Sequence, residues 1–168
     1  MINLTSTSIK GIKSSEIAKS ENNDCFVRAL AAATDQDYDT THELVRTKFG
    51  RKSKQGTKNL MITTQMLKAE DEGLKIGDIE YSVRVLGKTR THNRYKLYGE
   101  HIMRKKTVKS FIKDNPKGSF VVTVSKHALA IVDGKLIDNK GEEFRPTRKV
   151  DGAYKIKSKK VDSQLKLF

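Results

Sequence analysis

The chain has 168 residues, 36% hydrophobic and 32% charged, with a net charge of +14. That length suits one domain burying roughly two thirds of its unfolded surface, and its charge predicts attraction to nucleic acid, a ribosome or an acidic protein without choosing among them. No run approaches the ~18 apolar residues of a membrane span, no signal-peptide apolar core opens the chain, and one cysteine with no Cys/His cluster at zinc spacing excludes an internal disulfide and a zinc site.

These totals lead us to expect a soluble protein of the reducing cytoplasm, with no metal, no cofactor and no membrane partner. Residues 1–20, rich in Ser, Thr, Lys and Ile, read as a loosely ordered lead-in. Asn23 or Asp24 then offers an N-cap, and Phe26, Leu30 and Ala33 recur at helical spacing. "DTTHELVRTKFG" predicts a second helix capped by Asp39 or Thr40, with Val45 and Phe49 on the face of Tyr38 and Thr41 or His42, ended by Gly50. "RKSKQGTKN" is a basic loop, and "MITTQMLKAEDEGL" a third helix stopped at Gly73.

"IEYSVRVL" alternates like a strand. From 84 to 109, Arg84, Lys88, Arg90, Arg94, Lys96, Arg104, Lys105, Lys106 and Lys109 face one acid, Glu100, with Tyr95 and Tyr98 interleaved. "TVKSFIKDNPKG" predicts a short helix capped by Thr107 and closed by Pro116 and Gly118. "SFVVTVSKHALAIV" reads as one long strand, Asp133-Gly134 as a two-residue hairpin turn and "KLIDN" as the return. "AYKIKSKKV" alternates apolar residues with lysine, as an edge or surface strand does. Helices first and an antiparallel sheet after them make an α+β fold, with a main domain over 21–145 and a basic C-terminal segment over 146–168.

The single cysteine, Cys25, falls in the first turn of the first predicted helix. There it is either a small core residue or a thiol whose anion the helix N-terminus favours. His42, His92 and His101 lie in charged surroundings and read as surface residues, whereas His127 interrupts an apolar strand. A two-residue turn at 133–134 pairs Val132 with Lys135 and Leu129 with Asp138, so Asp138 emerges on the side of His127. Such diagonal neighbours lie about 7–8 Å apart, within side-chain reach. A one-residue slip would put Asn139 there instead. Cysteine, histidine and carboxylate then form a nucleophile–base–orienter set.

"NDCFVRALA" with "GSFVVTVSKHALAIVDGKLIDN" some hundred residues later resembles the papain-like cysteine peptidase superfamily, in particular the bacteriocin-processing-peptidase-like proteins of bacteria and phages. The resemblance spans about residues 21 to 140 and rests on those two motifs and their order. It implies a nucleophile helix packed on an antiparallel sheet, with Cys25 as nucleophile, His127 as base and Asp138 as orienter, acting on a protein or peptide. For a phage relative, the compartment is the host cytoplasm. The family places an oxyanion-hole glutamine a few residues before the cysteine, where this chain has Lys19, and no glutamine precedes Cys25. Asn22 and Asn23 are the candidate side-chain donors, and a missing donor costs roughly 100- to 1,000-fold in rate.

Two functions follow: a thiol hydrolase cleaving an amide, or a positively charged protein on the same fold that docks a polyanion or acidic partner with little or no catalysis. The aromatics among the cations of 90–106 fit single-strand nucleic-acid binding, and a solvated lysine-rich surface is the simpler reading of the same residues.

Overall fold

The computed structural model describes residues 3–4, 9–138 and 144–159. Helix α1 (Glu16–Ser20) starts where the Ser15 hydroxyl accepts from the Ala18 N–H at 2.9 Å. Ile9, Ile12 and Ala18 are buried, so this described part of the expected loose lead-in is packed into the core. Helix α2 (Cys25–Thr34) follows with Asp24 at the N-cap position, but the Asp24 side chain makes no capping bond. Its carboxylate turns inward and accepts from Arg28 Nε at 3.0 Å and from the Tyr38 hydroxyl at 2.7 Å.

Helix α3 (Tyr38–Lys48) is capped by Asp37, whose carboxylate accepts from the Thr40 N–H, and not by Asp39 or Thr40. Tyr38, Thr41, Val45 and Phe49 form its buried stripe, as the spacing predicts. Helix α4 (Asn59–Glu72) ends at Gly73, which takes φ +80°, a conformation that costs glycine little.

Strand β1 (Asn3–Leu4) lies at one edge of a seven-stranded sheet and β2 (Leu74–Ile76) at the other. Between them run β3 (Ile79–Val85), β6 (Ser119–Val124), β7 (His127–Val132), β8 (Lys135–Ile137) and β9 (Gly152–Ser158), in the order β1-β8-β7-β6-β9-β3-β2. Every pairing is antiparallel except β1 with β8. A four-residue helix α5 (Lys88–Thr91) leads into a separate two-stranded ribbon, β4 (His92–Leu97) and β5 (Glu100–Lys105). Helix α6 (Val108–Asp114) then begins at Thr107, whose hydroxyl accepts from the Ser110 N–H at 3.0 Å. The molecule is thus an α+β domain, and no helix among the described residues is long and apolar enough to cross a membrane.

Side-chain alternation divides the core in two. On one side of the sheet Val121, Ala128, Ala130, Ile137, Tyr154 and Ile156 pack with the helices at the N-terminal end of the chain. On the other, Phe120, Val122, Leu129, Ile131 and Leu136 pack with Val108, Phe111, Phe144 and Val150. Phe144 and Val150 join this cluster from both sides of position 145, so no domain boundary falls there.

Two strand assignments differ from expectation. The apolar run 119–132 is two strands, folded back at Ser125-Lys126 with Lys126 at φ +58° and Val124 opposite His127. Strand β9 is interior, hydrogen-bonded to β3 on one side and β6 on the other. It carries lysines because the sheet side opposite Tyr154 and Ile156 is uncovered at this end, leaving Lys157 exposed and Arg84 directly opposite Lys155. Ile156→Asp, a carboxylate driven into a two-sided ladder, is expected to lower stability in urea unfolding by about 3 kcal/mol or more. A change within about 0.5 kcal/mol, the value for a surface position, would contradict the interior placement.

Candidate active site

Helix α2 packs across β7, β6 and β9. The strand residues on that side, Ala128 and Ala130, are small, and the helix carries four alanines of its own (29, 31, 32 and 33), which lets the two backbones come close. Burial of Phe26 and Leu30, at roughly 1.5–3 kcal/mol each, fixes the helix in register. Its first residue, Cys25, consequently arrives at the end of the sheet where β7 begins.

His127 is the first residue of β7 and has the parity of Leu129, on the far side of the strand from α2. Its ring lies 6.0 Å from that of Phe144 on that side. Because no residue of β7 precedes it, the ring can turn past the strand end towards Cys25, which lines the same cleft and whose thiol it holds down. The turn at 133–134 has two residues, Asp133 at φ +48° and Gly134 at φ +78°, and pairs Val132 with Lys135 and Ala130 with Ile137. The next residue, Asp138, emerges on the side of His127, and its Oδ1 lies 2.5 Å from His127 Nε2. Nδ1 is left for Cys25. Asn139 lies outside the described residues.

The electrostatics follow from this geometry. Burial pushes the Cys25 thiol up, but the bond to His127, the Ala128 N–H, the imidazolium charge and the Phe26 N–H together bring it below its ordinary value. Burial pulls His127 down, and the bonds to Asp138 and Cys25 with their charges outweigh it, so the imidazole is pushed up to about 9. The lowered thiol and the raised imidazole both shift the pair towards thiolate and imidazolium, the form that attacks electrophilic carbon.

The pair opens on a cleft of ≈ 430 Å³ lined by Cys25, Thr57, Asn59, Ser125, His127 and Asp151, among others. One wall is the basic loop after α3, and Glu21 ties it down. Glu21 Oε1 accepts from Ser53 Oγ at 3.0 Å and the Lys54 N–H at 2.9 Å, while Oε2 meets His42 Nε2 at 2.8 Å and the Arg51 guanidinium. Arg51 also donates to the Asn22 carbonyl at 3.0 Å. The Glu21 and Arg51 side chains are each 2% exposed. The segment before the thiol and the wall of its cleft are therefore one hydrogen-bonded unit, with half-buried His42 part of it and not a surface residue.

Neither Asn22 nor Asn23 lines the cleft. Both are exposed, and Asn23 Nδ2 donates to the Lys54 carbonyl at 3.2 Å. Side-chain donors that do line it include Thr57 and Asn59 on the loop side and Thr123, Ser125 and Lys126 on the hairpin side, and Thr57 Oγ1 is buried there with no partner among the described residues. Sequence reading missed Thr57 and Asn59, together with Glu21 and Asp151, because all four are ordinary polar residues of loop, cap or helix-start positions whose role depends on contacts far along the chain.

The nine cations of 84–109 do not form one patch. Lys106 is buried with its Nζ 2.6 Å from Asp114 Oδ2, Lys105 pairs with Asp151 at 2.7 Å, and Arg90 donates to Asn115 Oδ1. Arg84 is on the open side of the main sheet, Lys88 and Arg90 on α5, and Lys109 on α6. Arg94, Lys96, Arg104 and Lys105 are on the ribbon. No group of three or more His, Cys, Asp or Glu residues among those described is arranged to hold a metal. No family model, curated protein or solved structure matches the chain.

Burial would raise the Glu21 carboxyl, but Arg51, His42, the Lys54 N–H and Ser53 bring it from 4.5 to about 2. A carboxyl with a depressed folded value contributes stability in full above its unfolded value and loses it as pH falls through the folded one. Glu21→Gln is expected to cost about 3–5 kcal/mol at neutral pH, since it leaves the buried Arg51 charge unpaired. Its stability should then fall less than that of the wild type between pH 4.5 and about 2. Equal unfolding midpoints across that range would contradict the pinning.

Proposed function

We propose that this protein is a papain-like thiol hydrolase that cleaves an amide bond of a protein or peptide, with Cys25 as nucleophile, His127 as base and then acid, and Asp138 as orienter. The observation that carries the reading is the two-sided engagement of His127, with Nε2 on Asp138 and the remaining ring nitrogen for Cys25 at the mouth of a cleft. A buried structural histidine needs only one of these partners. A core cysteine needs neither a charged neighbour nor two backbone N–H groups at its sulfur.

The Cys25 thiolate adds to the amide carbon, forming a C–S bond and a tetrahedral oxyanion. His127 gives its Nδ1 proton to the departing nitrogen as the C–N bond breaks, leaving a thioester. His127, now neutral, takes a proton from water as the water oxygen attacks the thioester. The acid leaves, and thiolate and imidazolium are restored. Asp138 holds the ring and stabilises its cationic form throughout. A reducing cytoplasm suits a nucleophile of this kind, because it keeps the thiol free.

Iodoacetamide is expected to alkylate Cys25 in the folded protein well below the pH needed for an ordinary thiol of pKa about 8.5. His127→Ala should move that reactivity to higher pH, and labelling that requires denaturation would mean an inert core cysteine. Against substrates found by comparing cellular peptide ends produced by wild type and Cys25→Ala, hydrolysis should be bell-shaped in pH. Its alkaline limb should sit near the His127 value of about 9. Asp138→Ala should lower kcat far more than Asn139→Ala while leaving Cys25 open to alkylation. The reverse ranking would move the orienter role to Asn139.

A further inference from the structure

The β4–β5 ribbon is an anomaly in an otherwise packed molecule. A two-stranded hairpin alone is marginally stable in water, yet this one is exposed along most of both strands. Its register puts Arg94 opposite Met103 and Lys96 opposite His101 on one face, and Tyr95 opposite Ile102 on the other. Arg94 and Lys96 have no ion-pair partner among the described residues, whereas Arg104 lies over the Tyr95 ring at 5.9 Å.

The tip is stranger. Leu97 pairs with Glu100, so Tyr98 and Gly99 form a two-residue turn with both φ angles positive, +49° and +80°. That turn favours Asn, Asp or Gly at its first position, and a bulky aromatic there is strained. The Tyr98 side chain repays none of this inside the molecule, since the residue is 97% exposed. The ribbon also leaves the domain at the rim of the cleft, where Lys105 Nζ bonds Asp151.

We propose that the ribbon is an arm that docks single-stranded nucleic acid, with Arg94 and Lys96 on the phosphates and Tyr98 stacked on a base. Charge complementarity selects a polyanion, given two unpaired cations on one face of a chain of net charge +14. The strained, fully exposed ring selects a ligand with open aromatic faces, which a single strand offers and a duplex or an acidic polypeptide does not. A flat anionic membrane fits poorly, because the cations and the Tyr95–Ile102 pair lie on opposite faces and could not meet one surface together. The arm would hold a nucleic-acid-bound protein beside the cleft, but binding itself requires no chemistry at Cys25.

The test is fluorescence anisotropy with a labelled oligodeoxythymidylate and an oligouridylate, each of about 20 nucleotides so as to exceed a typical site. Both should bind, and Cys25→Ala should bind as the wild type does. Tyr98→Ala should weaken binding by about 5- to 160-fold, the loss expected for one stacked base, and Tyr98→Phe should restore it. Arg94→Ala/Lys96→Ala should weaken it for both oligonucleotides and make the slope of log K against log salt shallower by about 1.4. Far-ultraviolet circular dichroism and the rate of Cys25 alkylation serve as checks that the variants fold. Binding unchanged within twofold in folded Tyr98→Ala would overturn the proposal. So would equal affinity for a duplex of the same length, or stronger binding to polyglutamate or to phosphatidylserine vesicles than to either strand. Failure of the hydrolase reading would instead appear as an unreactive Cys25, with the oligonucleotide results unaffected.

Discussion

The hydrogen bond between His127 and Asp138 exists only because the turn at Asp133-Gly134 has two residues and not three. With two, the β7–β8 register carries Asp138 to the side of Leu129 and His127; with three, every side chain after the turn would change sides. Both central residues have positive φ, so the local chemistry of Asp-Gly decides the register. From that bond the rest follows in order. Oδ1 occupies Nε2, the other ring nitrogen is left for the thiol, and the two charges hold each other in place. Meanwhile α2, seated on the small residues of β7, holds Cys25 at the strand end.

A second constraint acts from outside the Cys25, His127 and Asp138 cluster. Glu21, four residues before the thiol, is a buried carboxylate surrounded by Arg51, His42, Ser53 and the Lys54 N–H. Breaking a buried pair by removing one partner is strongly destabilising, so the loop carrying Thr57 is held as firmly as the helix it faces. One wall of the cleft is thus the β6–β7 hairpin, and the other is tied by hydrogen bonds to the segment just before Cys25.

The site was more legible in the sequence than the sheet. Cys25, His127 and Asp138 could be related by helix position, strand parity and turn length, all of which are local rules. The break at Ser125-Lys126 was not legible, because neither residue is a strong turn former and the apolar run continues through it; only the pairing of Val124 with His127 reveals it. Strand β9 read as a surface strand because its lysines face a side of the sheet that nothing covers at that end, although the strand itself is interior. Glu21 drew no attention in the sequence and Lys106 read as one of nine candidate polyanion-binding cations; the burial of both depends on Arg51 and Asp114, which no periodicity connects to them. The asparagines beside Cys25 were natural oxyanion candidates by proximity in sequence, yet the backbone at Asn23, with φ +54°, accompanies a side chain bonded to Lys54 and outside the cleft lining.

The central claim is that His127 is held as an imidazolium between a carboxylate and a thiolate. The most direct measurement is an NMR titration of the His127 ring in the wild type, Cys25→Ala and Asp138→Ala. The account predicts a midpoint near 9 in the wild type, lowered in each variant as one anionic partner is lost. A wild-type midpoint near the ordinary histidine value of about 6.5, unmoved by either substitution, would contradict it.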